Sequence, residues 1–569
     1  MEENNMHQNV EQEEFQLTIV QKRQKALGVI FLLIFAAIAA RLFWIQVVKG
    51  DSYLTRAADQ RQYVFQNSIA RGQIYDRNLI PFTDRELKKF IAITPYIDKR
   101  EETASIVAKA AGFSTKDILT MIKEAEGPIE IEAKDFTNSG LSTIEKGMVK
   151  GVSVLEKKKR YSEDSLARHV IGYISKSDLK GEMGLEKSMN RILEQAGGER
   201  IVAIVDSHKN VIPSLGFRKI ELKGTDIKLG LKLTLDFYMQ KIVEDVLKRN
   251  NISGAAVVMD IKTGDILAMA STPDFDQNNV GIYLKSEKNE FINKAINAYD
   301  LGSIFKTVVA AAAIENNLVA PDETFTCEGE IESNKKLIKC ATYATHENRP
   351  ITFEEAFALS CNTTFVKVGT RVGADKMLEM AKRMGFGEKL CNELLEEKSG
   401  YIPTSKEEGI GNISIGQGKI QVTPLQVTTM VAAIANHGIK SSPAIIDSIV
   451  DSETGKRVQS LSRSKPVLIL DASTIRQLQQ MMHQVTLTGT GKQAALEEYG
   501  GSSGKTSSAE TGIKGGEISH GWFAGYTPSD KPLYAITVFV YNGKSGGKSA
   551  APLFKEIAER IFTEYKPIK

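Results

Sequence analysis

The sequence predicts an α+β chain. An N-terminal transmembrane helix leads into a mixed α/β domain. After it comes a domain in which helices cover an antiparallel sheet, with an all-helical subdomain between the sheet's two halves. Three observations carry this prediction. A long apolar run stands near the start, two apolar strand-like runs flank a tight turn near residue 260, and strand patterns return only after a long helical stretch. At 569 residues the chain is too long for one core, so two or more domains are expected.

The formal charge of +3 is nearly balanced, which argues against nucleic acid as a partner. Residues 1–20 are acidic and polar and read as an irregular tail. Lys22, Arg23 and Lys25 then precede the apolar stretch 26–48, which is long enough to cross a membrane if Arg41 snorkels to the interface. Trp44 falls at the interfacial belt. A cleaved signal peptide is the competing reading, but no small-x-small site follows at 44–46. The basic cluster places residues 1–25 in the cytoplasm and everything after the anchor outside the cell membrane.

Residues 49–222 mix helix and strand patterns and form the first expected domain after the anchor; residues 223–569 form the second. Within it, Met239, Ile242, Val243 and Val246 recur at helical spacing. Ala255–Asp260 and Asp265–Ser271 read as a hairpin of buried strands around Ile261–Gly264. Helices dominate from 304 to 437, strands return at 521–526 and 533–540, and a helix at 551–564 closes the pattern.

The chemistry concentrates at Ser303. A serine at the mouth of a helix has its backbone N–H among the unpaired first-turn donors, and Lys306 lies one turn on, on the same face. A hydroxyl needs a nearby base to act as a nucleophile, and a lysine serves if it can be neutral. Ser-x-x-Lys alone is a weak signal. Downstream stand Ser360-Cys361-Asn362 and Lys505-Thr506-Ser507-Ser508, in the order of a known three-part set. Gly489–Lys492 and Gly543–Ser549 faintly suggest phosphate loops, but neither has the required spacing, and both read as turns.

With Ser414–Gly418 and Val422–Gln426 between the second and third elements, the chain resembles a class B penicillin-binding protein, a membrane-anchored D,D-transpeptidase. Arg71–Asn78, Arg160-Tyr161, His169–Tyr173 and Gly184–Glu186 are similar to that family's pedestal, or dimerisation-type, landmarks. These landmarks form no catalytic set and read as turns and salt bridges. The resemblance implies an acyl-enzyme on Ser303, with Lys306 as base and Ser360 as proton carrier. Asn362 would bind the substrate backbone, and Lys505 would be the neighbouring cation. Thr506 and Ser508 would hold the substrate carboxylate, and the backbone N–H groups of Ser303 and Ser508 would form the oxyanion hole. Its implied ligands are stem peptides ending in D-Ala-D-Ala, and β-lactams. No glycosyltransferase-like region precedes the pedestal, so a separate polymerase partner is implied, and no metal or organic cofactor is expected.

The chain departs from the family pattern at Leu301, where proline is usual, and at Ser507, where glycine is usual. Ser507 shares a strand face with Lys505 and is expected to crowd the nucleophile's helix. A D,D-carboxypeptidase or a weakly catalytic recruiting protein are the alternatives. Cys327 and Cys340 flank a polar hairpin, and in an oxidising location they could pair, as cysteines near this place do in the resembled family. Cys361 and Cys391 read as buried thiols. A zinc site from Cys327, Cys340 and His346 is set aside because close ligand pairs are missing.

Overall fold

The computed structural model describes residues 2–50, 52–53 and 62–64, most of 71–222, and then 228–510 and 519–565. The expected pedestal boundary at 222 abuts residues outside the described set. The first helix spans Glu2–Phe43, not only the apolar run. Where an irregular tail was expected, Glu and Gln, both good helix formers, continue the helix without a breaker. The stretch Thr18–Val48, which runs past the end of that helix through the helical turn Trp44–Val48, is long and apolar enough to cross a membrane. Arg41 and Lys49 both lie over the Trp44 ring, 4.9 and 4.6 Å from its centroid, as expected of an interfacial anchor.

The chain folds as two compact units. The first comprises 1–65, 89–155 and 200–220. In it the strand Glu86–Ile93 pairs antiparallel with Ile129–Glu132, and Ile91 and Ile93 pack on helices Arg100–Ala111 and Thr115–Glu124. Ser114 caps the second helix by accepting from the Asp117 N–H.

The second unit gathers 66–88, 156–199 and 221–569. Its centre is a five-stranded antiparallel sheet in the order Ile266–Thr272, Gly254–Asp260, Tyr534–Val540, Ser519–Thr527, Ser503–Glu510. Both faces are apolar because both are covered. Ala256, Val258, Phe523, Ile536 and Val538 share a core with helices Phe237–Arg249 and Ala551–Glu564. Ala255, Val257, Trp522, Ala524 and Phe539 belong to the other core, with helices Lys306–Glu315 and Pro424–Ala435. Period-two alternation thus divides each strand between two layers. Pro424–Ala435 is apolar all round and wholly buried, and it starts with a capping box between Thr423 and Gln426.

The subdomain between the sheet's halves is mainly helical, but it also carries two short antiparallel ladders, one enclosing the other. Thr324–Thr326 pairs with Pro350–Thr352, and Glu330–Ser333 pairs with Lys336–Lys339. The pedestal landmarks meet as a buried ion cluster. Arg71 reaches Glu186 at 2.5 Å, and Arg160 reaches Glu186 at 2.7 Å and Asp84 at 2.6 Å. Tyr161 also donates to Glu186. Burial would raise the Glu186 carboxyl, but Arg160 and Arg71 together hold it below the usual range.

Candidate active site

Ser303 lies in the short turn Gly302–Phe305, which runs straight into helix Lys306–Glu315. Three neighbours hold the backbone before it. Trp522 Nε1 donates to Asp300 O at 3.1 Å, Ser507 Oγ donates to Leu301 O at 2.6 Å, and Gly302 N donates to Gly416 O at 2.9 Å. Gly302 has φ 62°, a left-handed conformation that suits glycine, and a Cβ there would come 2.5 Å from Ser507 Oγ. The stretch around Ser414–Gly418 therefore braces the Ser303 turn. A two-residue ladder, Tyr299–Asp300 with Gln421–Val422, extends that brace.

Lys306 is fully buried. Its Nζ donates to Ser360 O at 2.7 Å, Ser360 Oγ at 3.1 Å and Asn362 Oδ1 at 2.7 Å. These bonds occupy all three ammonium donors, so the first and second sequence elements form one polar cluster. Burial lowers the Lys306 pKa to about 8, against the raising effect of Cys361 and Cys340. Ser360 is held at φ 60°, a strained position for a residue with a side chain. Asn362 opens helix Asn362–Val372, and its Nδ2 donates to Lys339 O at 2.8 Å.

The third element lies on the edge strand Ser503–Glu510. Lys505 is buried, with Nζ 5.6 Å from the Phe357 ring centroid. Burial, and then the charge on Lys306, push its ammonium far below the ordinary lysine value. Thr506 Oγ1 meets Thr490 Oγ1 at 2.5 Å. Thr490 belongs to Gly489–Lys492, which had been read only as a turn; no local pattern in the sequence marks it as a neighbour of residue 506. Ser508 is exposed, and its hydroxyl accepts from Gly546 N.

Ser507 does not merely crowd the face it shares with Lys505, because its hydroxyl turns the close approach into a hydrogen bond to Leu301. All four cysteines are free and buried, so Cys327 and Cys340 are not joined.

The arrangement offers a hydroxyl at a helix mouth, a buried lysine of lowered pKa, a serine and an amide on that lysine, and a second lysine on a strand edge. This suits acyl transfer through a serine. Residues 254–559 match the family model for the penicillin-binding protein transpeptidase domain, and residues 66–229 match the penicillin-binding protein dimerisation domain. Stage V sporulation protein D of Bacillus subtilis is 28% identical, over 95% of this chain and 85% of that protein. Penicillin-binding protein PbpB of Mycolicibacterium smegmatis is also 28% identical, over 96% of this chain and 90% of that protein. Among solved structures, penicillin-binding protein 3 of Mycobacterium tuberculosis superposes with a TM-score of 0.62 at 26% identity, covering 88% of this chain and 98% of that one. A chain solved in work on polymerization and crosslinking by a peptidoglycan synthase complex gives 0.69 at 23% identity, over 96% and 99%. With the transpeptidase match covering more than half its length, the chain belongs to the penicillin-binding protein transpeptidases, as a class B member.

Proposed function

We propose that Ser303 attacks the carbonyl of a terminal D-Ala–D-Ala bond and that Lys306, once neutral, takes its proton. The observation that carries this reading is the triple hydrogen bonding of buried Lys306 to Ser360 and Asn362. It supports a reading in which base, proton carrier and substrate-binding amide work as one cluster. The Ser303 proton passes by way of Lys306 and Ser360 to the leaving amine of D-Ala. An amine from a second stem peptide then attacks the Ser303 ester, forming the cross-link and freeing the serine. Water in place of that amine would make the enzyme a carboxypeptidase.

Thr506, Ser508 and Lys505 hold the substrate carboxylate in this reading. Burial and the charge on Lys306 disfavour the Lys505 ammonium in the free site, and an arriving carboxylate favours it. The backbone N–H groups of Ser303 and Ser508 face the developing oxyanion, each worth about 10²–10³ in rate. β-Lactams acylate the same serine and leave it blocked.

The domain reading from the sequence is cytoplasmic 1–25, anchor 26–48, pedestal 49–222 and catalytic 223–569, although 66–88 and 156–199 cluster with the catalytic residues in one compact unit. The anchor's orientation rests on Lys22, Arg23 and Lys25. Glycan polymerisation would come from a separate glycosyltransferase partner. Labelling by a fluorescent penicillin, with and without Ser303→Ala, tests the nucleophile. The label should vanish in the variant, and an acyl mass mapped to any other residue of 296–310 would overturn the assignment.

A further inference from the structure

Four side chains that the acyl-transfer reading leaves unused converge behind the Ser360 turn. Cys327 follows strand Thr324–Thr326, Cys340 follows strand Lys336–Lys339, and His346 closes the short turn Tyr343–Thr345. Cys361 precedes helix Asn362–Val372. Cys340 Sγ is 3.8 Å from Cys361 Sγ and 3.9 Å from His346 Nε2, and the four ligand atoms all lie within 4.8 Å of one another. All four residues are buried, none more than 6% exposed.

A tetrahedral zinc with sulfur at about 2.3 Å and nitrogen at about 2.0 Å has ligand–ligand edges of roughly 3.5–3.8 Å, close to the 3.8 and 3.9 Å from Cys340 to Cys361 and His346, and every other pair lies within 4.8 Å. A disulfide needs its sulfurs about 2.05 Å apart and would leave the third thiol and His346 without a role. The surroundings also suit a metal. Thr363 and Thr364 hydroxyls lie 3.3 Å from Cys361 Sγ, and Thr342 Oγ1 is 3.6 Å from Cys340 Sγ. His346 Nδ1 meets Thr345 Oγ1 at 3.1 Å, the outer contact that fixes a ligating imidazole.

We propose that Cys327, Cys340, His346 and Cys361 bind one zinc ion in a closed Cys₃His site that fastens the 330–339 hairpin to the Ser360-Cys361-Asn362 turn. One ligand lies between the two residues that hold Lys306, and Asn362 Nδ2 already bonds to the carbonyl beside Cys340. Four protein ligands leave no open position for water, so the ion adds no step to acyl transfer and acts by positioning. Binding displaces the thiol protons and, in an oxidising compartment, shields three cysteines from pairing. This replaces the expectation that no metal is needed.

The test uses the full-length chain, purified in detergent without added metal, with zinc measured by mass spectrometry. The expected result is about one zinc per chain. Cys327→Ser and Cys361→Ser should each lower it tenfold or more, whereas Cys391→Ala should keep it. Ser303→Ala should also keep zinc while losing penicillin labelling, so failure of the metal site and failure of the nucleophile are told apart. Because the cysteine variants can unfold, the metal-stripped native-sequence protein is also titrated with cobalt. A tetrahedral cobalt–thiolate spectrum, competed away by zinc, is expected. Zinc-free protein that takes up neither metal overturns the proposal. So does a disulfide between any two of these cysteines in thiol-trapped, freshly isolated protein, and so does zinc retained when Cys327 and Cys361 are both replaced.

Discussion

The hydroxyl of Ser507 donates a 2.6 Å hydrogen bond to the carbonyl oxygen of Leu301. The chain's two departures from the family pattern therefore touch one another, across the turn that presents Ser303. Both partners are buried, so the bond is shielded from water. Replacing Ser507 by glycine removes it, at about 0.5–1.5 kcal/mol, and loosens the strand by up to about 1 kcal/mol more. Ser507→Gly should lower the melting temperature and slow penicillin acylation by less than tenfold. Faster acylation in stopped-flow assays would show that the serine crowds the site after all.

Lys306 sets the pH dependence. Its pKa is lowered to about 8, chiefly by burial, and the base must be neutral. Acylation at subsaturating penicillin should therefore climb as pH rises through about 8 and flatten above it. The same shift has a stability consequence. A lysine whose folded pKa lies below its unfolded value favours unfolding while protonated, so stability is expected to rise between that pKa and the ordinary lysine value. A flat acylation profile from pH 6 to 9 would remove Lys306 from the role of base.

Ser360→Ala keeps the backbone carbonyl that Lys306 bonds to, yet deletes the hydroxyl in the proton path. Acylation should fall by about 10²–10⁴, with circular dichroism unchanged. A loss under threefold would assign proton transfer to another group.

Glu186 is buried between Arg71 and Arg160. Removing its charge leaves two guanidiniums short of a partner, and losing one side of such a cluster costs about 3–5 kcal/mol. Glu186→Gln should show this in thermal or urea unfolding. Because the Glu186 pKa is held low, its contribution is present above the ordinary carboxylate pKa and is lost as pH falls through the lowered one. Unchanged stability at neutral pH would mean the arginines find other partners.

Protease added to intact spheroplasts should remove everything after about residue 50, if Lys22, Arg23 and Lys25 hold the N-terminus inside. Full protection would reverse the orientation.

The layers and the candidate reactive groups are legible along the chain. Strand alternation along Ala255–Met259 and Tyr534–Val540, the helical run after Ser303, and the order of Ser303, Lys306, Ser360, Asn362 and Lys505 are local patterns, legible because each depends on near neighbours in the chain. What the tertiary structure decided is which distant groups meet. Cys361 is a buried thiol, as its apolar context predicts, but no ligand pair near it in sequence points to its neighbours. One hairpin, the strand ladder that encloses it and a helix start bring it to Cys327, Cys340 and His346. The Thr490–Thr506 contact and the Ser507–Leu301 bond have the same origin. Such meetings are set by how sheet and helices close-pack, and packing joins residues whose spacing along the chain carries no periodic signal.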